Sequence, residues 1–369
     1  MIQRVLITGG AGFIGSHLSD LLLANGYDVR LLDNLDAQVH GDRRRPAYLS
    51  PEAELIAGDI RDRAAVDRAL EEIDGVIHLA ASVGVGQSMY KMVAYTDVNE
   101  IGTATLLEAM AGSKVRRLVC ASSMSVYGEG LAQRENGQVV FPPERPMEQL
   151  RRGDWELHDV DGSLLVPLPT PESKQPSLNS VYALNKYGQE RLCLIAGQSY
   201  DIQTIALRFF NVYGPRQALS NPYTGVLAIF AARLLNGKPP LVFEDGEQKR
   251  DFVHVSDVAK ACLLAMESEK TGVFNIGSGV SRSIVSIADD LARVMGREAI
   301  RARVIGKYRA GDIRHCFADI SKAKAELGFA PAVRFEDGVQ DLAEWLVDCV
   351  AEDRVESATA ELEARGLVA

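Results

Sequence analysis

Cysteine is scarce: five residues in 369, an odd number without a single Cys-x-x-Cys pair. A disulfide-stapled scaffold is thereby excluded, and reduced thiols in a cytoplasmic setting are expected. Long apolar runs are absent too. None approaches the roughly 18 residues of a membrane span, and the opening MIQRVLITGG turns glycine-rich too early for a signal peptide. Basic residues are the minority, with 40 Lys and Arg against 50 Asp and Glu and a net charge of −10. Such a chain is poorly suited to nucleic acid. If its ligand is an anion, positive charge must be concentrated locally. What is present is apolar material, 47% of the chain, enough for a sizeable core and too much for disorder. The length allows two or three domains.

Short apolar runs alternate with helical periodicity through the first half. Strands are expected at Arg4–Thr8, Val29–Leu32, Glu54–Ala57, Val76–Leu79, Arg117–Ser122 and Thr204–Arg208. Helices are expected at Ser16–Asn25, Arg63–Glu72, Asn99–Met110 and Tyr182–Ser199. This alternation predicts an α/β fold, a doubly wound parallel sheet covered on both faces. The tail from Glu336 onward is rich in Ala, Glu and Leu; it reads as helical and shows no chemistry.

Residues 129–180 break the rhythm, holding half of the fourteen prolines. That density resists helix and central strand. The plain reading is a surface excursion. The sharper one is a lid or wall over a site, anchored by Trp155, because the excursion begins just after one motif and ends just before another.

The first motif is Gly9-Gly10-Ala11-Gly12-Phe13-Ile14-Gly15, directly after a strand and opening a helix. Gly9 permits a tight turn, Gly12 lets backbone approach a pyrophosphate, and Gly15 permits close helix–strand packing. The helix N-terminus then offers free N–H groups to the anion. Asp33, ending the second strand, can accept the ribose hydroxyls of a dinucleotide and repel a 2′-phosphate, which favours NAD over NADP. Arg43, Arg44 and Arg45 argue the other way, although a solvated loop cluster is the better reading of them. Asp59 is placed either to meet an adenine or to cap its own turn.

The second motif is Tyr182-Ala183-Leu184-Asn185-Lys186. A spacing of four sets Tyr182 and Lys186 on one helical face, where an ammonium lowers the phenol pKa from about 10. Before it comes Ala121-Ser122-Ser123-Met124-Ser125-Val126-Tyr127-Gly128, expected at the carboxyl edge of the sheet, where ligands of such folds bind.

With these residues together, the chain resembles the extended short-chain dehydrogenase/reductases, in particular the NAD-dependent nucleotide-sugar epimerase/dehydratase family. The resemblance runs from about residue 4 to residue 330. It includes Asp33-Asn34, Gly58-Asp59-Ile60, His78-Leu79-Ala80-Ala81, Asn99, Arg208 through Arg216, Arg250 through Asp257, and Arg309-Ala310-Gly311-Asp312. It implies a Rossmann-type sheet with a smaller mixed α/β substrate-binding domain. The nucleotide domain would span 1–210 and about 252–277, with the excursion as its insertion, and the sugar domain 211–251 and 278–369. NAD would be held by Gly9, Gly12, Phe13, Ile14, Gly15, Asp33, Asn34, Asp59, Ile60, Leu79, Ala80, Ala81, Asn99, Tyr182 and Lys186. Tyr182 would be the base, Lys186 its pKa setter, and Ser123 the hydroxyl between Tyr182 and the sugar.

The resemblance also implies a substrate site made of Ser123, Ser125, Asn211, Phe243, Arg250, Arg309 and Cys316. There Arg250 and Arg309 clamp a diphosphate, Phe243 stacks on the base and Cys316 lies beside the hexose. Sugar 4,6-dehydratases of the family carry an Asp-Glu pair where Met124 and Ser125 stand here, and neither of these does that acid–base work. The resemblance thus points to 4-epimerisation of a dTDP- or UDP-hexose. Residues 78–90, the insertion and residues 221–225 most resemble dTDP-L-rhamnose 4-epimerases. That subgroup's paired insertion cysteines are missing, so no metal is expected. A homodimer through the helices at Asn99–Met110 and Tyr182–Ser199 is implied as well. The alternatives are a net dehydrogenase or reductase, a dehydratase-like enzyme, and a non-catalytic NAD-binding scaffold.

Overall fold

The computed structural model describes residues 2–309, 311–347, 349 and 353–369; Ala310 of the Arg309–Asp312 motif lies outside them. Seven strands form the central sheet: β1 (Arg4–Thr8), β2 (Asp28–Asp33), β3 (Glu54–Ala57), β4 (Gly75–His78), β5 (Arg117–Ser123), β6 (Gln203–Phe209) and β7 (Gly272–Ile276). Their order is β7-β6-β5-β4-β1-β2-β3, and each neighbouring pair is parallel. Val5, Leu6 and Ile7 are fully buried, as a strand covered on both faces requires. Ile7 lies opposite Leu31 on one side and Ile77 on the other.

All seven carboxyl ends reach one edge, and the strand order reverses between β1 and β4. That reversal opens the crevice where ligands of such sheets bind. One face of the sheet is covered by α1 (Phe13–Ala24) and the helix Val255–Glu267, whose Leu18, Leu22, Val258 and Cys262 pack against β1 and its neighbours. The other face is covered by Arg63–Leu70, Gly102–Met110 and Val181–Ser199. Two expected helix starts shift. The helix expected from Ser16 begins at Phe13, because Gly12 already carries extended backbone as its cap. Asn99 falls in a π-helical turn at Asp97–Ile101, ahead of the α-helix.

Beyond the sheet's carboxyl edge, strands Asn211–Tyr213, Lys249–His254, Ser281–Ser283 and His315–Cys316 make a smaller mixed sheet. The helices Val226–Leu235, Ile284–Val294 and Phe335–Leu346 share a separate core with Phe230, Ile287, Leu291 and Leu342 at its centre.

The proline-rich excursion is more ordered than its composition predicts. It folds into an antiparallel sheet of Leu131–Gln133 flanked by Val139–Val140 and Val166–Leu168, with a short helix at Met147–Arg151. The prolines are accommodated where they cost least: Pro167 sits on an edge strand and Pro146 caps the helix. Ala132, Leu157 and Leu165 form its own small core. Gly130 N–H donates to His315 O at 2.7 Å, and Trp155 packs against the Tyr308 ring with centroids 6.2 Å apart. Among the described residues no helix is long and apolar enough to cross a membrane.

Candidate active site

The glycine turn after β1 is built as tightly as its sequence demands. Gly9 has φ +68°, and a Cβ there would lie 2.9 Å from Ala80 N; one on Gly15 would lie 2.5 Å from Gly9 O. Gly12 caps α1 with no side chain to accept its first N–H groups, so these stay available to an anion. Asp33 at the end of β2 accepts from Ala11 N–H at 3.0 Å and Leu35 N–H at 2.9 Å, which places a carboxylate beside the turn. Asn34 donates to Asp59 at 3.1 Å. Asp59 caps its own turn through Arg61 N–H and takes two further bonds from the Arg61 guanidinium, which hold its carboxyl well below the usual range. Ile60 is buried behind it. Arg45 is engaged by the carbonyls of Ser50 and Ala53, and Arg44 faces Asp42, so part of the arginine cluster is already occupied.

Asn99 is fully buried, and both ends of its amide hold the Ser82 backbone, at 2.7 and 3.0 Å. It therefore shapes the loop carrying Leu79, Ala80 and Ala81 after β4. This uncapped, Cβ-free cradle with a carboxylate beside it suits a dinucleotide whose ribose hydroxyls are free.

Tyr182 and Lys186 lie on the helix Val181–Ser199, capped by Ser180, whose hydroxyl accepts from Ala183 N–H at 3.1 Å. Each of the two also has a partner of its own. Lys186 is buried and its ammonium donates to Gln189 Oε1 at 2.8 Å. Burial lowers Lys186 to about 8. Burial also pushes the Tyr182 phenol up, and the group that offsets this is the Ser123 hydroxyl. Ser123 in turn bonds Ser125 Oγ at 3.1 Å, so a run of hydroxyls leads from Tyr182 through Ser123 to Ser125. The carboxamide of Gln189, one turn along, satisfies the ammonium.

Gln189 itself was not legible as part of the site. Its Nε2 reaches Thr103 Oγ1 at 2.9 Å and His78 Nε2 at 3.2 Å, and His78 Nδ1 meets Thr8 Oγ1 at 2.7 Å. Burial, and then the Lys186 charge, lower His78 to about 3, so this ring is neutral. The spacing of Lys186 and Gln189 on one helix is the only local signal for this network.

A cavity of about 270 Å³ opens beside Ser125, lined also by Met124, Asn211, Phe243, Arg250 and Arg309. Arg309 stacks over the Phe243 ring at 4.6 Å and bonds Asp312 at 2.9 and 3.1 Å. Arg250 is held by the carbonyls of Lys249 and Arg314, each at 3.0 Å, and by Ile313 O. The Asn211 Oδ1 and Gln248 Oε1 atoms are buried and unpartnered, and both residues line the cavity. The positive charge that an acidic chain must concentrate for an anion is thus found here.

Two expectations do not hold. Cys316 is fully buried and does not reach the cavity; its strand pairs with Lys249–Arg250 and turns the thiol toward Thr170, 3.9 Å away, while Ile313 lines the wall. Nor does the excursion line this cavity. The cavity lining contains no residue between 129 and 180; Arg145 and Glu156 tie the excursion to the 312–315 segment. The cover is supplied instead by the helix Val355–Ala364, in the tail that showed no chemistry.

A parallel sheet with a glycine cradle at its switch point, and a Ser/Tyr/Lys set at the same edge, defines a dinucleotide-binding enzyme fold. The chain matches the NAD dependent epimerase/dehydratase family over residues 5–149 and 166–277, and it belongs to that family. It is similar to a dTDP-L-rhamnose 4-epimerase of Burkholderia thailandensis, 37% identical over 93% of this chain and 95% of that one. It is likewise similar to a putative UDP-glucose 4-epimerase of Methanocaldococcus jannaschii, 34% identical over 93% and 98%. The UDP-glucose 4-epimerase of Thermotoga maritima, solved with UDP-glucose, superposes with a TM-score of 0.77 at 31% identity, covering 94% of this chain and 99% of that one. The Thermus thermophilus enzyme, solved with NAD, gives 0.75 at 31% identity over 94% and 100%. The protein is therefore an enzyme, an isomerase, and its cofactor is NAD.

Proposed function

We propose that the protein is a nucleotide-diphosphate-sugar 4-epimerase acting on a dTDP- or UDP-hexose, with a 6-deoxyhexose of the L-rhamnose kind favoured. The observation that carries this reading is the hydroxyl run Tyr182–Ser123–Ser125 ending at a cavity whose wall also holds Phe243, Arg250 and Arg309. Tyr182, as phenolate, takes the C4 hydroxyl proton and later returns it to the opposite epimer; Ser123 holds the same oxygen. Lys186, on the same helical face, is the charge that favours the phenolate. NAD, held by the Gly9–Gly15 turn and Asp33, would supply the reversible two-electron acceptor for C4. Asn211, Arg250 and Arg309 bind the diphosphate and Phe243 the base. Met124 and Ser125 at the cavity wall provide no acid–base pair for dehydration.

The test is incubation with dTDP-, UDP- and GDP-hexoses without added cofactor, followed by NMR of the anomeric protons. Interconversion of two C4 epimers is expected. Net oxidation that needs added NAD would establish the dehydrogenase reading instead.

Three further proposals accompany it. The turn residues, from Gly9 to Asp59, bind the adenosine half of NAD, with Leu79, Ala80, Ala81 and the positioning residue Asn99 on its far side. Calorimetry is expected to show NADP binding at least about tenfold weaker than NAD, since the Asp33 carboxylate disfavours a 2′-phosphate; equal affinities would overturn that role. The division into a nucleotide domain, 1–210 with 252–277, and a sugar domain, 211–251 with 278–369, is supported by the separate core around Phe230 and Leu342. The chain pairs as a homodimer: Ile101, Leu184 and Ile195 are apolar yet half-exposed on the two helices expected at the interface. Light scattering at micromolar concentration is expected to give twice the 40.1 kDa chain mass.

A further inference from the structure

The last segment, residues 353–369, lies across the cavity from one end to the other. Leu362 packs on Gly86, where a Cβ would meet Leu362 Cδ1 at 3.2 Å. Gly86 belongs to the short helix Val85–Ser88, whose Ser88 hydroxyl accepts from Tyr182 N–H at 3.0 Å. Leu362 therefore covers the end of the cavity formed by the helix Val85–Ser88, which the Tyr182 backbone touches. At the other end the chain terminus pairs with the arginine segment. Arg309 bridges Val368, and Tyr308 and Ala369 exchange backbone hydrogen bonds at 2.9 and 3.1 Å.

This cover is fastened by specific contacts. Glu361 accepts from Tyr90 Oη at 3.1 Å and from Tyr223 Oη at 3.4 Å, and the Arg365 guanidinium lies 4.3 Å over the Tyr90 ring. Lys307 pairs with Glu363 at 2.5 Å, and Arg233 with Asp353 and Glu356, each at 3.3 Å. Leu362 is buried, as are Ala358 and Val368. The apolar face of this helix is thus spent on the cavity.

The chemistry of the covered end is uniform. Val85, Met89, Met124 and Leu362 line it, the nearby Tyr223 and Thr359 hydroxyls are already bonded to Tyr90 and to Val355 O, and the three charged lining residues, Arg250, Arg309 and Asp312, form one cluster. A sugar carboxylate at the Leu362 end would meet no counter-charge, and a C6 hydroxyl would lose water for apolar neighbours. A methyl group would lose nothing.

We infer that residues 353–369 are a built wall of the substrate cavity, and that Leu362 is a specificity-determining residue selecting a sugar whose C5 substituent is a methyl group over one bearing a hydroxymethyl or a carboxylate. The inference rests on the nucleotide-sugar reading above and extends it to the substituent read.

Three dTDP-hexoses differing only at C6, as methyl, hydroxymethyl and carboxylate, provide the test. In the wild type, kcat/KM is expected to be highest for the methyl sugar, by about ten- to a hundredfold. Leu362→Arg should move the carboxylate-to-methyl ratio up by at least about tenfold, and Leu362→Ala should shrink the methyl-to-hydroxymethyl preference. A chain ended after residue 352 guards against a helix that fails to seat. It should still bind dTDP by calorimetry, while its kcat/KM values for the three sugars converge to within a few-fold. If the wild type turns over these sugars but neither point variant nor the shortened chain changes their ratios, the wall assignment is wrong and the function stands. If the wild type turns over no nucleotide sugar, the functional reading falls, and the inference with it.

Discussion

Tyr182→Phe is expected to lower epimerisation by at least about a hundredfold, the usual reach of a positioned acid–base group, while the affinity for nucleotide sugar changes by no more than about tenfold, the worth of one hydrogen bond. The phenyl ring keeps its packing on the helix Val181–Ser199, and Ser123 keeps its bond to Ser125 at 3.1 Å. Only the ionisable oxygen is removed. That oxygen sits where burial pushes its pKa up and Ser123 pulls it back. Steady-state rates and calorimetric binding, measured on the same preparation, separate the two effects. A variant retaining more than a tenth of the wild-type rate would show that Tyr182 is not the base.

The parts of this protein that chemistry makes local were readable from the chain. The turn from Gly9 to Gly15 announces itself because its glycines answer short-range clashes, Gly9 with Ala80 N, Gly10 with Leu31 and Gly15 with Gly9 O. The strands β1 and β4 are continuous apolar runs because both faces are covered. Tyr182 and Lys186 share a helical face by spacing alone. What was not readable depends on who stands opposite. Lys186 donates to Gln189, and that carboxamide is held in place by His78 and Thr103, residues far away in the chain. Cys316 was expected at the cavity, yet pairing with Arg250 turns it inward. The proline-rich excursion and the C-terminal helix exchanged roles for the same reason. Both lie near the site in the chain or in composition only, and long-range ion pairs determine which one covers the cavity.

Those ion pairs set the second large effect. Arg314 is completely buried. Its guanidinium bonds Asp245 at 2.6 and 2.9 Å, Glu156 at 2.5 Å and Glu244 at 3.1 Å, and these carboxylates keep it charged, raising its pKa. Its backbone N–H is held by both oxygens of Glu129, and its carbonyl holds Arg250. Arg314→Met is expected to cost roughly 3–5 kcal/mol, the usual penalty for removing one partner of a buried pair, and to raise KM because the Arg250 clamp loosens. The loss concentrates on Glu244. Glu156 and Asp245 are about two-fifths exposed and can be hydrated instead, whereas Glu244 is 1% exposed and retains only Arg145 at 3.0 Å. Burial already pushes the Glu244 carboxyl above its ordinary pKa, and removing Arg314 pushes it further. A carboxyl whose folded pKa exceeds its unfolded value binds its proton more tightly when folded, so stability is regained as pH falls through the folded pKa. The destabilisation, read from urea unfolding of variant against wild type, should therefore be largest at pH 7 and smaller at pH 5. Glu244→Gln added to Arg314→Met should recover part of it at pH 7. A penalty that is the same at both pH values and unchanged in the double variant would mean that Arg314 acts by packing rather than by charge.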